Sequence, residues 1–418
     1  MLKITDAYKK KNYAESYEDK LHTVDRIIKD VRERGDDALF EYARAYDKVD
    51  LNENNIRVTE AEIAEAYDNT PPELMSSLLK CKANILKYHE RQVKDGEFDG
   101  ATGWKFVPVS SAGLYVPGGL AAYPSSVLMC ALPAVAAGVD DIAVATPSIK
   151  NPLILAAAKI CGINKIYKIG GAQAIAAFAY GTASVKKVDI IAGPGNIYVT
   201  LAKKRVFGDV GIDMLAGPSE ICVLADGAAN PEYVAHDLLS QAEHGPLGDA
   251  VLVATSEAFA ERVIEAMLAA AARSGRKSII NDSIENSCQI IYKKNMADAL
   301  KTVNQIAPEH LEIYAANAFD LSNKIVNAGA IFIGGETPVA VGDYYAGPSH
   351  VLPTGGNARF SSVLSVDTFL KRISLIGYGA DKLREGADDI IRMAEAEGFY
   401  EHAESVRVRL KNGRRKGR

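Results

Sequence analysis

The segment that decides the fold covers residues 141–180, which read DIAVATPSIKNPLILAAAKICGINKIYKIGGAQAIAAFAY. A short apolar run, Asp141 to Ala145, precedes a helical pattern from Pro152 to Cys161. The same pair recurs at Lys165 to Ile169 and Ala172 to Tyr180. Strands and helices that alternate at this spacing are typical of βαβ units, in which helices cover both faces of a parallel sheet. The segment therefore predicts an α/β fold.

The alternation continues towards the C-terminus and predicts a second sheet. One more strand and helix of the first sheet follow at Val188 to Ala192 and Asn196 to Val206. Four further apolar runs are the predicted strands of the second sheet: Ile221 to Ala225, Ala250 to Ala254, Gln289 to Tyr292 and Ile331 to Ile333. The helical patterns of this region fall at about residues 231–243, 256–273, 294–306 and 319–327.

The two ends of the chain show a different pattern. Residues 1 to about 105 are predicted to be helical, because Val24, Ile27 and Val31 mark one apolar face at helical spacing. After about residue 365 the chain is helical and charged as far as Leu410. This last segment is too small and too polar to form a core of its own. We expect it to pack on another domain or on a partner subunit.

The composition narrows the class of protein. A chain of 418 residues exceeds what one hydrophobic core usually serves, so two or more domains are expected. A net charge of -5 does not indicate a general nucleic-acid-binding protein. The five cysteines are scattered and form no CxxC pair, which favours a reduced, cytoplasmic chain. A polar N-terminus, and no apolar run of the roughly 20 residues that a membrane helix needs, argue against export and membrane insertion.

Four glycine-rich turns follow the predicted strands of the first sheet. They are Pro117-Gly118-Gly119, Gly170-Gly171-Ala172-Gln173, Gly193-Pro194-Gly195-Asn196 and Ala216-Gly217-Pro218-Ser219. The carboxyl end of a strand, just before a helix, is where α/β sheets bind ligands and where helix N–H groups attract anions. None of the turns is GxGxxG, so their spacing leaves open a nucleotide site or simple left-handed turns. The polar groups of Tyr115, Gln173 and Asn196 beside them favour a ligand.

Oxygen and nitrogen ligands for a metal occur in several separate stretches. Gln241 and His244 are three residues apart on a predicted helix that Gly245 and Pro246 end, so their side chains share one face. Asp343 follows a predicted strand, and His402 lies in the terminal segment. Each of them alone is more often a surface or core residue. Together they would make a borderline-hard site that fits zinc, with manganese or cobalt as substitutes.

The stretch Ala307-Pro308-Glu309-His310 places an acid next to an imidazole. Side chains that are adjacent in sequence point in different directions, so Glu309 and His310 suit two separate roles better than a hydrogen-bonded pair. Histidine and a buried glutamate can both serve as general bases near neutral pH. The alternative is a helix end that is capped by a carboxylate.

Six runs of this chain are similar, in order and wording, to the signatures of the histidinol dehydrogenase family. They are Gly113 to Gly119, Gly170 to Ala176, Gly193 to Asn196, Ala216 to Glu220, Ser240 to Gly245 and Ala307 to Leu311. The resemblance runs over nearly the whole chain. It implies a zinc-containing, NAD-dependent enzyme that oxidises L-histidinol to L-histidine through a bound histidinaldehyde. It also implies two incomplete Rossmann-like domains and a homodimer with shared active sites.

The resemblance assigns domains and roles. It implies a segment of N-terminal helices over 1–20, a zinc and catalytic domain over 21–112 and 222–364, an NAD domain over 113–221, and an extension over 365–418 that reaches the partner subunit. Zinc would be held by Gln241, His244 and Asp343 with the partner's His402, and NAD by Tyr115, Gln173 and Asn196. His310 would take the alcohol proton and Glu309 would activate water. The substrate would contact Ser219, His350 and Glu397, besides the zinc ligands and His310.

Two stretches depart from the family's pattern: Tyr344-Tyr345 with Ser349, and Phe399-Tyr400. They leave the substrate preference open. One alternative is a related zinc and NAD dehydrogenase that acts on another small alcohol, such as a sulfonated diol, although a carboxylate at Glu397 would repel a sulfonate. The other alternative is a metal-binding homologue without catalytic activity.

Overall fold

The computed structural model describes residues 2–10, 17–118, 123–147 and 151–413. Its helices are, in chain order, α1 (Glu18–Arg34), α2 (Asp36–Tyr42), α3 (Glu60–Asp68), α4 (Pro72–Glu90), α5 (Pro124–Ala137), α6 (Pro152–Ile160), α7 (Gly171–Tyr180), α8 (Ile197–Val206), α9 (Pro231–Ala242), α10 (Glu257–Arg273), α11 (Lys277–Asn286), α12 (Met296–Ile306), α13 (Ala318–Ser322), α14 (Val339–Tyr344), α15 (Ala380–Ala396) and α16 (Tyr400–Gly413).

The strands are β1 (Ile4–Thr5), β2 (Glu97–Phe98), β3 (Thr102–Pro108), β4 (Ser111–Tyr115), β5 (Asp141–Ala145), β6 (Lys165–Tyr167), β7 (Ile190–Ala192), β8 (Gly211–Ile212), β9 (Glu220–Ala225), β10 (Asp249–Ala254), β11 (Cys288–Tyr292), β12 (His310–Tyr314), β13 (Ala330–Ile333) and β14 (Leu370–Ile376). The chain divides into two compact units, Met1–Gln92 with Val109–Phe369, and Val93–Pro108 with Leu370–Arg418. The predicted α/β fold with parallel-rich sheets is confirmed.

The first sheet of the larger unit has five parallel strands in the order β6-β5-β4-β7-β8. The strands and helices of residues 141–180 form close to their predicted bounds, because apolar strand residues such as Val144 and Ile166 are fully buried under apolar helices. Asn151 and Asn196 start α6 and α8 as N-caps, since each side chain accepts backbone N–H groups of the first turn. The strand ends therefore lead directly into helices, as the glycine-rich turns predict.

Helices α1 and α2 share the core of this five-stranded sheet. Val24, Ile27 and Val31 of α1 are buried in one cluster with Tyr115 and Phe178. The resemblance implies that residues 21–112 belong to one domain with residues 222–364. The periodicity of α1 predicts its apolar face but not which sheet that face covers. The domain boundaries stay a prediction.

The second sheet of the larger unit has six parallel strands in the order β1-β11-β10-β9-β12-β13. Its predicted strands and helices form near their expected bounds, except that the helix predicted for 319–327 is the shorter α13. The sequence misses α11 and β12. Residues 1–20 are predicted to be helical, whereas Ile4–Thr5 form β1 and pair with the edge strand β11. Residues 11–16 lie outside the described part of the chain.

The smaller unit combines the antiparallel sheet β14-β3-β2 with α15 and α16. The two helices are predicted, but β3 and β14 are not, because both segments read as helical. The helices bury little: Ala387, Ala403 and Val406 are the buried apolar residues that they contribute among those described. No helix of the described residues is long and apolar enough to cross a membrane.

Candidate functional site

His310 begins β12 and lies between two carboxylates. Its Nδ1 is 3.0 Å from the Glu220 carbonyl oxygen and 3.5 Å from Glu309 Oε2. Its Nε2 is 3.6 Å from Asp343 Oδ1. Burial works against a charged ring, but the carboxylates of Glu309 and Asp343 outweigh it and hold the pKa of His310 well above its usual value. The adjacent pair thus lies at a strand start rather than a helix end, and its two side chains do approach each other.

Glu309 is held by the backbone of the neighbouring strand. The N–H group of Glu220, the first residue of β9, donates to Glu309 Oε2 at 2.8 Å. The carboxyl group of Glu220 accepts from the Gly355 N–H group at 3.0 Å. Burial raises the pKa of Glu220 to about 8, assisted by the nearby charges of Glu309 and Asp249. The sequence does not single out Glu220, because much of its contribution comes from its backbone.

Asp343 is the second carboxylate at His310 and lies on α14. Burial, the largest influence, would raise its pKa, but its contact with His310 and the charges of His310, His350 and His244 lower it overall. His350 Nδ1 lies 3.1 Å from the Asp343 carbonyl oxygen, and His350 Nε2 lies 3.2 Å from Ser126 Oγ. Burial lowers the pKa of His350. The structure therefore groups three of the predicted histidines around Asp343, and Ser126 is a further polar neighbour that the sequence does not suggest.

Gln241 is the penultimate residue of α9, and its side chain is buried. Its Nε2 has no hydrogen-bond partner among the described residues. A Cβ atom at Gly248 would lie 3.1 Å from this Nε2 and 2.3 Å from the Ser219 carbonyl oxygen. Only glycine at position 248 therefore lets the backbone pass so close to Ser219 and the Gln241 side chain. A buried amide end without a partner is costly, and a half-turn of the amide would direct Oε1 to the same place. The oxygen atom of the Gln241 amide is therefore suited to bind a cation.

The predicted set of zinc ligands is nevertheless incomplete within the larger unit. Within the described ranges, no three His, Cys, Asp or Glu side chains form a group that could hold a metal ion. Gln241 is of another residue type, and His402 belongs to the smaller unit on α16, where its ring packs against Phe399 at 5.4 Å between centroids. Glu397 follows α15 in the same unit. The ligand set stays a prediction.

The residues predicted to bind NAD lie at the carboxyl end of the five-stranded sheet. Tyr115 ends β4, and its hydroxyl accepts from the Gly171 N–H group at 3.1 Å. Gln173 Nε2 donates to Asp47 Oδ2 at 3.4 Å. Asn196 Oδ1 accepts from the N–H groups of Tyr198 and Val199, at 3.0 and 3.2 Å.

Two of the glycine-rich turns come close to Tyr115. A Cβ atom at Gly193 would lie 2.2 Å from the Tyr115 carbonyl oxygen, and Gly193 has a φ of 114°, so this turn requires glycine. Gly119, in the first of the four turns, lies outside the described residues. Asp47, which ends a π-helical turn over Ala43–Asp47, is a neighbour that the sequence does not reveal. Burial raises the pKa of Asp47.

The arrangement has the chemical features of an enzyme site. A buried imidazole between two carboxylates can transfer protons, and polar turns at a sheet edge can bind an anionic ligand.

The comparisons with known proteins agree on one family. The family model described as histidinol dehydrogenase matches residues 10–410. A histidinol dehydrogenase from Heliobacterium mobile is 48% identical over 396 residues, covering 93% of this chain and 93% of that protein. One from Clostridium acetobutylicum is 47% identical, covering 94% and 92%. A crystal structure of histidinol dehydrogenase from Elizabethkingia anophelis superposes with a TM-score of 0.90 at 36% identity, covering 97% of this chain and 94% of that one. The chain therefore belongs to the histidinol dehydrogenase family and is an oxidoreductase that acts on a small-molecule substrate.

Proposed function

We propose that this protein catalyses the zinc- and NAD-dependent, four-electron oxidation of L-histidinol to L-histidine through a bound histidinaldehyde, at the end of histidine biosynthesis. The observation that carries the proposal is the buried His310, held between Glu309 and Asp343. Two oxidation steps need two proton acceptors, and this chain places an imidazole and a carboxylate side by side.

The metal would be held by Gln241, His244 and Asp343 with the partner subunit's His402. When bound, zinc would orient the imidazole and amine of the substrate and so retain the reactive aldehyde between the steps. The buried Nε2 of Gln241, which has no hydrogen-bond partner in the described part of the chain, supports a ligand role for this amide through Oε1. Glu397 would face the substrate ammonium group, and Ser219 would contact the substrate as well. His350 would do so through Nε2, the atom that lies 3.2 Å from Ser126 Oγ.

His310 would act as the base in the first step. Its Nδ1 faces the Glu220 carbonyl oxygen, which is a pure acceptor, so in the neutral ring Nδ1 would carry the proton and Nε2 the lone pair. With Asp343 committed to a cation, its charge would no longer favour the protonated ring. His310 Nε2 could then accept the hydroxyl proton of the alcohol while the carbon loses hydride to NAD.

Glu309 would act in the second step. Its Oε2 is fixed by the Glu220 N–H group, which keeps the carboxylate beside the strand start. Glu309 would remove a proton from water as the water oxygen adds to the aldehyde carbon. The resulting hydrate then loses hydride to a second NAD and gives the carboxylate of histidine.

NAD would bind at the carboxyl end of the five-stranded sheet, near Tyr115, Gln173 and Asn196. The location is supported by the position of these residues at the carboxyl ends of strands and just before or within the first turns of α7 and α8, where α/β sheets bind ligands. We also propose a cytoplasmic protein, because the five cysteines are scattered along the sequence and form no CxxC pair, which is typical of a chain from a reducing compartment.

We propose further that the protein is a homodimer in which residues 365–418 of each chain complete the partner's active site. The smaller unit supports this proposal, because it exposes large apolar side chains: Ile376 is 80% exposed, Tyr400 69% and Met393 62%. Large apolar side chains that are exposed in the single chain are available for burial at a subunit interface. A two-fold dimer would bury this surface twice and supply His402 and Glu397 to each site.

The production of NADH from candidate alcohols tests the proposed function. With zinc and NAD present, each L-histidinol consumed should yield two NADH and one L-histidine, and a sulfonated diol should yield none. Turnover of the diol but not of histidinol would identify a related dehydrogenase of another small alcohol. Zinc binding without any NADH production would identify a metal-binding homologue without catalytic activity.

A further inference from the structure

Three polar side chains project from one face of β12 into an apolar core. His310, Glu312 and Tyr314 alternate with Leu311 and Ile313, so they share a face of the strand. Glu312 is 1% exposed and Tyr314 5% exposed. Polar groups that are buried in this way are costly unless each finds a partner. His310 belongs to the candidate site, and Glu312 and Tyr314 follow it on the same face of the strand.

The partners of Glu312 and Tyr314 lie on the two helices that carry proposed metal ligands. The N–H group of Val339, the first residue of α14, donates to Glu312 Oε1 at 2.9 Å. The hydroxyl of Tyr314 donates to Asp237 Oδ2 on α9. Glu312 and Asp237 also contact each other through their carboxyl groups. These contacts join β12, α9 and α14.

The contact of two carboxyl groups requires a shared proton. Glu312 Oε2 is buried and has no hydrogen-bond donor among the described residues, and Asp237 is buried as well. Two buried carboxylates in contact cannot both be ionised. Burial and the charge of Asp237 raise the pKa of Glu312, so the two carboxyl groups hold one proton between them at neutral pH. The shared proton gives the buried Glu312 carboxyl group a hydrogen-bond partner in Asp237.

The helical spacing connects this cluster to the proposed site. Asp237 and Gln241 are four residues apart on α9, and Val339 and Asp343 are four residues apart on α14. Residues at this spacing lie one turn apart on the same face of a helix. A shift of either helix at the cluster would therefore move a proposed ligand by a similar distance.

We propose that Glu312, Asp237 and Tyr314 are positioning residues, which fix α9 and α14 on β12 and thereby set the distance between Gln241 and Asp343. The proposal rests on the proposed function only in taking these two residues as metal ligands. Groups that hold ligands in place are commonly worth a factor of about 10 to 100 in metal affinity.

The test is the zinc affinity of variants, measured by competition with a chelator. Glu312→Gln keeps an acceptor for Val339 and supplies an N–H donor to Asp237, so its zinc affinity should stay close to that of the wild type. Glu312→Leu removes both contacts and should weaken zinc binding by about 10- to 100-fold. Tyr314→Phe removes only the hydroxyl and should weaken zinc binding by a smaller factor, and it also serves as the test if Glu312→Leu does not fold.

The matched control is Tyr42→Phe, which removes another tyrosine-to-aspartate hydrogen bond, from Tyr42 to Asp30, away from these helices. It should leave the zinc affinity unchanged. Variants of Glu312 and Tyr314 that lose stability towards denaturant but bind zinc as tightly as the wild type would show a purely structural cluster and overturn the proposal. A wild-type protein that binds no zinc would instead overturn the proposed metal site, and this inference with it.

Discussion

The two parallel sheets of the larger unit carry their predicted site residues at opposite ends of the strands. In the six-stranded sheet, Glu220 and His310 begin β9 and β12, so their cluster lies at the amino ends of the strands. In the five-stranded sheet, Tyr115, Gln173 and Asn196 lie at or beyond the carboxyl ends of the strands. The first site holds His310 between two carboxylates, whereas the three residues predicted to bind NAD at the second site are uncharged, with Asp47 as the carboxylate beside Gln173.

This difference separates two kinds of chemistry. Buried carboxylates and imidazoles shift one another's pKa values, as the raised pKa of His310 and of Glu220 illustrates, and such groups suit proton transfer. Neutral turns before helices suit the binding of an anionic group. Changes at the amino ends of the six-stranded sheet should therefore affect the chemical steps and the affinity for the metal. Changes at the carboxyl ends of the five-stranded sheet should affect the affinity for NAD.

Removal of the metal should have the largest effect. A chelator should abolish NADH production from histidinol, and added zinc should restore it, because Gln241, His244 and Asp343 would lose the ion that positions the substrate. The affinity for NAD, measured by calorimetry on the same metal-free protein, should not change. Full activity in protein that is verified to be metal-free would refute the site.

His310→Asn should decrease the oxidation of the alcohol by about 100- to 10,000-fold, which is the usual contribution of a general base. Added histidinaldehyde should still be oxidised, because that step is assigned to Glu309. The two half-reactions are measured separately by NADH formation from each substrate. Equal losses in both would remove the division of roles between the two residues.

Glu309→Gln should have the converse effect. The amide keeps the shape of the side chain but cannot accept a proton from water, so oxidation of the aldehyde should fall by about 100- to 10,000-fold. The first hydride transfer, followed as a single turnover from histidinol, should persist. A loss of the first hydride transfer as large as that of the second would contradict the assignment.

The shared site predicts that two inactive variants complement each other. His402→Ala and His310→Ala should each be inactive alone. Mixed dimers would contain one site with an unaltered His310 and an unaltered partner's His402, so up to about half of the wild-type activity per dimer should return. Two preparations of the same variant, exchanged in the same way, are the control. Verified mixed dimers that stay inactive would mean that the terminal segment serves its own subunit.

Most of the sheet elements were readable from the sequence because their strands are uniformly apolar. Strand β12 is not predicted, although His310-Leu311-Glu312-Ile313-Tyr314 alternates polar and apolar residues as a strand with one solvated face does. The structure buries that face because Asp237 and the Val339 N–H group satisfy its polar groups. Such long-range partners leave no local signal in the sequence.

The same reason explains which neighbours of the site were missed. Residue type and helical spacing were sufficient to single out Glu309, His310 and Gln241. Ser126 and Asp47 were missed, because their contacts with His350 and Gln173 join segments that are far apart in the chain. Which sheet α1 covers was likewise decided by tertiary packing rather than by its periodicity.

The smallest effect should come from a substitution of Asn196, at the carboxyl end of the five-stranded sheet. This residue caps α8, and replacing such a cap by alanine costs about 1 kcal/mol of stability. If Asn196 also binds NAD, Asn196→Ala should weaken NAD binding by about 2- to 10-fold, as the loss of one hydrogen bond would. The matched control is Asn151→Ala, which removes the N-cap of α6, the helix that follows β5 of the same sheet. It should cost similar stability without changing the affinity for NAD. Zinc affinity should be unchanged in both variants. If the two variants weaken NAD binding equally, or not at all, Asn196 serves only as the N-cap of α8 and does not contact NAD.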